Sequence, residues 1–167
     1  MIKKTTKLFA TIFMALIAAF LFSTGISMVQ ATTPMPIEGQ IIVQGTDSIV
    51  ANPAGESDNS IVTLSLHGLF VGGIAGSYTS ESRWVRHNVG TPDVWTNIHA
   101  IDIISPATVL GKTGSLTFML DGSAAQGGNW VIIGGTGELT DLRGQGTYSP
   151  GINSAVINYE GQVHFNP

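Results

Sequence analysis

The residues that most resemble a chemical motif are "VIIGGTGELTDLRGQGTY", Val131 to Tyr148, with five glycines, two acids and one arginine. Glycine-rich loops cradle phosphates when a lysine or a helix follows them. A P-loop needs G-x-x-x-x-G-K-[ST], with the lysine reaching the phosphates. No lysine follows Lys112 in this chain. A dinucleotide fingerprint needs G-x-G-x-x-G leading into a long helix. Counting from Gly135 and Gly137, the third position falls on Thr140, and the strand-like "GQGTYS" follows. Glu138 and Asp141 would repel a phosphate. The stretch is read instead as a corner of a fold. Gly134 and Gly135 end a buried strand, and Thr136 is expected to cap a short helical turn from Gly137 to Leu142. Glu138 at the start of that turn and Arg143 at its end suit the helix dipole. Leu139 and Leu142, three residues apart, face one way and cap an apolar interior. Gly144 is expected to provide a left-handed exit.

Other chemistries are thinly represented. The chain has no cysteine, which removes thiol catalysis and thiolate metal sites. His67, His87, His99 and His164 show no metal-binding spacing, so no metal is expected, and no cofactor motif is present. By strand alternation His67 and His164 point outward and His87 precedes a turn. His99 shares a face with Ile101 and Ile103 and is expected to point inward. Asp102 then lies on the opposite face, so the two do not form an acid–base pair. Serines are plentiful, but no G-x-S-x-G elbow exists. No catalytic residue is assigned. Trp84, Trp95, His99 and Trp130 are the candidate pocket residues, with Tyr78 and Tyr159 as further rings. Burying such rings is also the ordinary way to fill a small barrel. Arg83 and Arg86 beside Trp84 have the chemistry to grip a carboxylate, or simply balance acidic surface.

The elements that must position these residues are almost all strands. "IVTLSLHGLFVG" alternates with period two, placing Val62, Leu64, Leu66, Gly68 and Phe70 on one face. "IEGQIIVQ", "SYTSESRWVRHN", "VWTNIHAIDII", "GSLTFMLDG", "NWVIIGG", "GQGTYS" and "NSAVINYEGQVHF" read as the other strands. "GTDSIVANPAGESDNS" reads as a polar loop after the first of them. Many short strands separated by Gly, Pro, Asn and Asp argue for a sandwich or barrel.

The first residues read as an address. Lys3, Lys4 and Lys7 precede the apolar run Leu8 to Phe22, and "VQA" ends at Ala31. This pattern predicts a signal peptide, residues 1–31, cleaved after Ala31, and a secreted or periplasmic protein. The alternative is an uncleaved anchor, since the stretch from Leu8 to Ala31 exceeds the roughly 20 residues that span a bilayer. Residues 32–167 are expected to form a single domain. Loss of the three lysines takes the net charge from −4 to −7. So acidic a chain, without a basic cluster, is not expected to bind nucleic acid or, once cleaved, membrane.

The corner carries a resemblance. "GGTGELTDLRGQGTY" resembles the "GTGxLxGLxGxGxF" segment of an uncharacterised bacterial family that has the allene oxide cyclase-like barrel fold. A looser form of the same corner occurs in plant dirigent proteins. "GSLTFMLDGSA" and "NYEGQVHF" resemble two further strands of that family, so the resemblance covers roughly Ile61 to Phe165. The chain departs from it in the leader and in the insert-like "RHNVGTPDVW". The resemblance implies an all-β fold: a small antiparallel β-barrel of about eight strands, with one short helical turn as a cap. It implies no established activity. Gly135, Gly137, Leu139, Leu142 and Gly144 are its structural corner. A barrel of this size is filled by side chains or holds one small ligand. The expected function is non-catalytic binding of a small apolar ligand or a protein partner. The alternative is a cyclase-, isomerase- or dirigent-type barrel that steers a reactive intermediate. Self-association of the chain is expected over a monomer.

Overall fold

A computed structural model describes residues 33–52, 59–123, 125–153 and 155–166. The expected leader lies outside the described residues. Among the described residues eight strands run in chain order: β1 (Met35–Asn52), β2 (Ser60–Gly72), β3 (Ile74–His87), β4 (Trp95–Val109), β5 (Lys112–Ser123), β6 (Gly127–Gly135), β7 (Leu142–Pro150) and β8 (Val156–Phe165). Each pairs antiparallel with the next, and β1 pairs with β8, closing the barrel. One 3-10 turn, Gly137–Leu139, joins β6 to β7. Closure leaves each strand one face toward the interior, which is why burial alternates along β3 from Ile74 to Ser82.

The first strand is longer than its sequence suggests. Residues 45–52, expected to be loop, continue β1 and pair with β2 as far as Asn52 opposite Ile61. Register shifts between Val43 and Gly45 and between Thr46 and Ser48 explain the difference. Each shift breaks the period of two, so no alternating pattern survives to be read. The ladder between β1 and β8 ends at Ile42 opposite Val156. Beyond it, β1 to β4 reach further than β6 to β8, and the barrel wall is uneven at that end.

The two ends of the barrel are built differently. At one end lie the starts of β1, β3, β5 and β7 and the 3-10 turn. Its interior holds Ile37, Ile74, Val109, Leu116, Leu139, Leu142 and Val163, all buried. Towards mid-barrel, Phe118 stacks on Trp130 with centroids 4.9 Å apart, and Phe70 meets Phe118 edge-on at 5.1 Å. The Trp130 indole donates to the carbonyls of Glu160 (3.0 Å) and Thr147 (3.1 Å). Its ring lies where a Cβ on Gly146 or Gly161 would stand, so these two glycines make room for it. The Tyr159 hydroxyl accepts from the Ile74 amide (2.8 Å) and donates to the Ile74 carbonyl (3.2 Å).

The corner turns the chain as the sequence suggests, by somewhat different means. Leu139 and Leu142 are fully buried, while Glu138 and Asp141 are exposed. Gly137 has φ +61°, a conformation that a side chain strains. The helical part is shorter than expected, because β7 already begins at Leu142. Thr136 does not cap the turn with its side chain. Its hydroxyl accepts from the Ser115 amide at 3.1 Å, tying the corner to β5 instead. The Glu138 carboxylate does the same, accepting from the amide (3.0 Å) and hydroxyl (3.1 Å) of Thr113. Gly144 is not a left-handed exit. It sits within β7, and a Cβ there would collide with Val163. Arg143 lies in β7, beyond the end of the turn, and donates to the carbonyls of Thr140 (3.1 Å) and Leu142 (2.7 Å).

Candidate functional site

The opposite end is hollow. A cavity of about 260 Å³ lies among the middle and second half of β3, the first half of β4, the end of β7 and the start of β8. Small inward residues leave this space. Ser80 and Ser82 on β3 and Ala100 on β4 are buried where the other end carries leucine, isoleucine and phenylalanine. Ile41, Val43, Leu66, Ile98, Leu120 and Ile157 give the walls their apolar character, and the exposed Pro150 and Asn153 belong to the rim. Tyr78, Trp84 and Tyr148 contribute aromatic rings.

Asp102 is the charged residue of this lining. It is 2% exposed and sits across the ladder from Ser80 on one side and Phe118 on the other. Burial penalises its ionised form and raises its pKa to about 7, partly opposed by a hydrogen bond from the Ser80 side chain. Burial, with the charge of Asp102 added, also pushes the Tyr78 phenol well above its ordinary value. The Tyr148 phenol is pushed up to about 12 by burial and by Asp121. Its hydroxyl is buried and has no hydrogen-bond partner. The Trp84 indole donates to the Ser82 hydroxyl at 2.7 Å, which fixes that ring at the wall.

The four candidate pocket residues are not brought together. Trp84 is half-buried and lines the cavity. Trp130 is packed between Phe118 and Tyr159 in the aromatic layer, outside the lining. Trp95 is exposed and stacks on His87 with centroids 3.9 Å apart. His99 is exposed on the outer face of β4, against expectation. Ile101 and Ile103 share that face and are exposed too, whereas Ala100, Asp102 and Ile104 are buried. Both faces of β4 carry aliphatic residues, so hydrophobicity could not say which turns inward. The consequence is that Asp102, set aside in the sequence, is the charged group that the fold places inside, beside the buried hydroxyls of Ser80 and Ser82. One signal pointed to it. An acid flanked at two-residue spacing by Ala100 and Ile104 shares their face, whichever way the strand turns.

Arg83 and Arg86 are exposed on β3 and do not enter the cavity. His67, on the outside as expected, meets Asp47 at 2.8 Å. Among the described residues, no three His, Asp or Glu side chains converge as a metal site would require.

The fold matches that of known proteins. A protein of unknown function from the DUF3224 family of Shewanella oneidensis MR-1 superposes with a TM-score of 0.59 at 18% identity, covering 81% of this chain and 99% of that one. A pterocarpan synthase dirigent protein superposes with a TM-score of 0.45 at 14% identity, covering 84% and 94%. No family model and no curated protein matches the sequence. The chain is thus an all-β protein whose fold is shared with an uncharacterised bacterial family, in line with the resemblance carried by its corner.

Proposed function

We propose that this is an exported β-barrel that binds a small, largely apolar ligand in the cavity at its hollow end. The observation that carries the reading is the cavity itself: enclosed mostly by apolar and aromatic side chains, with a few polar groups among them, as ligand pockets are. At about 260 Å³ it lies just below the roughly 300–1,000 Å³ usual for such pockets, so the ligand is small. A neutral aromatic alcohol, 2-phenylethanol, is a suitable probe. Titration calorimetry should detect its binding to the intact barrel, and Ala100→Phe, which fills the space, should abolish it. Equal binding by both proteins would place the probe elsewhere and end the reading. Export is supported by the leader pattern of residues 1–31. The intact mass of the secreted protein should correspond to a chain beginning at Thr32.

Asp102 favours a second reading. A carboxyl buried at a cavity wall and poised near neutrality would serve as an acid or base in a barrel that steers a reactive intermediate. Turnover that is lost in Asp102→Asn while the probe still binds would select it.

A further inference from the structure

We propose that the preferred ligand is a hydrophobic amine, bound as the ammonium with Asp102 as its counter-ion and the rings of Tyr78, Trp84 and Tyr148 around it. The inference rests on the cavity being a ligand site and adds the charge of its occupant. Four features converge on it. Asp102 is the charged side chain lining the cavity, and no Lys, Arg or His of the described residues lines it. A buried carboxylate without a cation is costly, and a cationic ligand supplies the missing partner. Three aromatic rings line the same space, and ring faces attract organic cations, tryptophan most strongly. The wall hydroxyls of Ser80 and Ser82, with the Tyr148 hydroxyl that has no partner of its own, are oxygens able to accept from an ammonium. The acidic domain adds a field that draws cations and repels anions. An anionic ligand would meet Asp102 with nothing to offset it, since Arg83 and Arg86 face outward.

Among the described residues, Ser80 and Phe118 flank Asp102 across the ladders, Tyr78 of β3 feels its charge, and Tyr148 of β7 shares the cavity lining with it. Both tyrosines are held above their ordinary pKa, so neither changes charge near neutral pH. His99 lies on the outer face of the same strand, and His99→Gln is the control for it.

The test compares three ligands of one shape: 2-phenylethylamine, 2-phenylethanol and 3-phenylpropionate, titrated calorimetrically into the wild type and Asp102→Asn at about pH 8, above the titration of the carboxyl. The amine should bind wild type at least about tenfold more tightly than the alcohol, with the carboxylate weakest. Asp102→Asn should bring the amine to within about twofold of the alcohol and leave the alcohol unchanged. Should that variant fail to fold, the wild type and His99→Gln still decide. In both, lowering the pH to about 5 should erase most of the amine's advantage and leave the alcohol's affinity in place. Alcohol binding as tight as amine binding would overturn the inference but keep the cavity site. An amine preference that survives Asp102→Asn, or persists at low pH, would also overturn it. If none of the three binds, both the inference and the ligand site fall.

Discussion

The two ends of this barrel are made from the same strands and solve opposite problems. At the corner end, inward positions carry Ile74, Val109, Leu116, Leu139 and Leu142, and the interior closes on itself. At the cavity end the same strands turn in Ser80, Ser82, Ala100 and Asp102, and space remains. Strands β3, β4 and β5 turn residues inward at both ends, so along them the difference lies in the side chains. Those side chains differ in volume and polarity. Large aliphatics at one end contribute stability by burial and close packing. Small and polar residues at the other forgo part of that stability and leave room for a ligand.

Unfolding experiments can break that comparison. The largest effect is expected at the corner. Leu139→Ala and Leu142→Ala should each lower the unfolding free energy by about 2–5 kcal/mol in denaturant titrations, through lost transfer energy and a new cavity. Leu66→Ala, at a wall that already borders empty space, should cost less, about 1–2 kcal/mol, because fewer contacts are lost. Equal losses at both positions would mean the ends are packed alike.

The next effect has the opposite sign. The folded pKa of Asp102 is raised, so the folded chain holds a proton that the unfolded chain releases. The stability associated with this group is therefore full below the ordinary carboxylate range, and falls as the pH rises towards about 7. Asp102→Asn removes the cost of ionising a buried group. It should stabilise the barrel by roughly 1–3 kcal/mol above neutrality and change little in acid. Parallel denaturation curves at acid and alkaline pH check this, and a uniformly destabilised variant would contradict it.

The smallest effect is expected at Glu138. Its hydrogen bonds to the Thr113 amide and side chain hold its carboxyl below the usual range. The contribution is present above the ordinary carboxylate pKa and is lost as the pH falls through the folded value. Glu138→Gln should shift the thermal midpoint slightly downward at neutral pH and not in strong acid. A shift as large as that of Leu139→Ala would show that the corner depends on charge rather than burial.

The corner was readable in the sequence because several local requirements coincide within a dozen residues. Gly137 needs a positive φ, Leu139 and Leu142 need an apolar interior, and Glu138 needs exposure beside a turn. Each requirement selects a narrow set of residue types, so together they leave a recognisable string. The role given to Gly144 went wrong because crowding against Val163 and a left-handed backbone both select glycine. The cavity left no comparable string. It is an absence of volume shared by Ser80, Ser82 and Ala100 on two strands, which only the register brings side by side. Asp102 was hidden by the outward-facing Ile101 and Ile103, and the length of β1 by its two bulges. Aromatic residues were likewise ambiguous. Trp84, Trp95 and Trp130 have one composition and three environments: a cavity wall, an exposed stack on His87 and the packed interior.

Mapping of backbone amide shifts during titration with 2-phenylethylamine tests the division between the two ends most directly. Perturbations should concentrate at Tyr78, Ser80, Trp84, Asp102 and Tyr148, leave Leu139 and Leu142 untouched, and saturate as one site. Perturbations centred on the corner, or scattered without saturation over the barrel, would contradict the assignment of one end to binding and the other to holding the fold together.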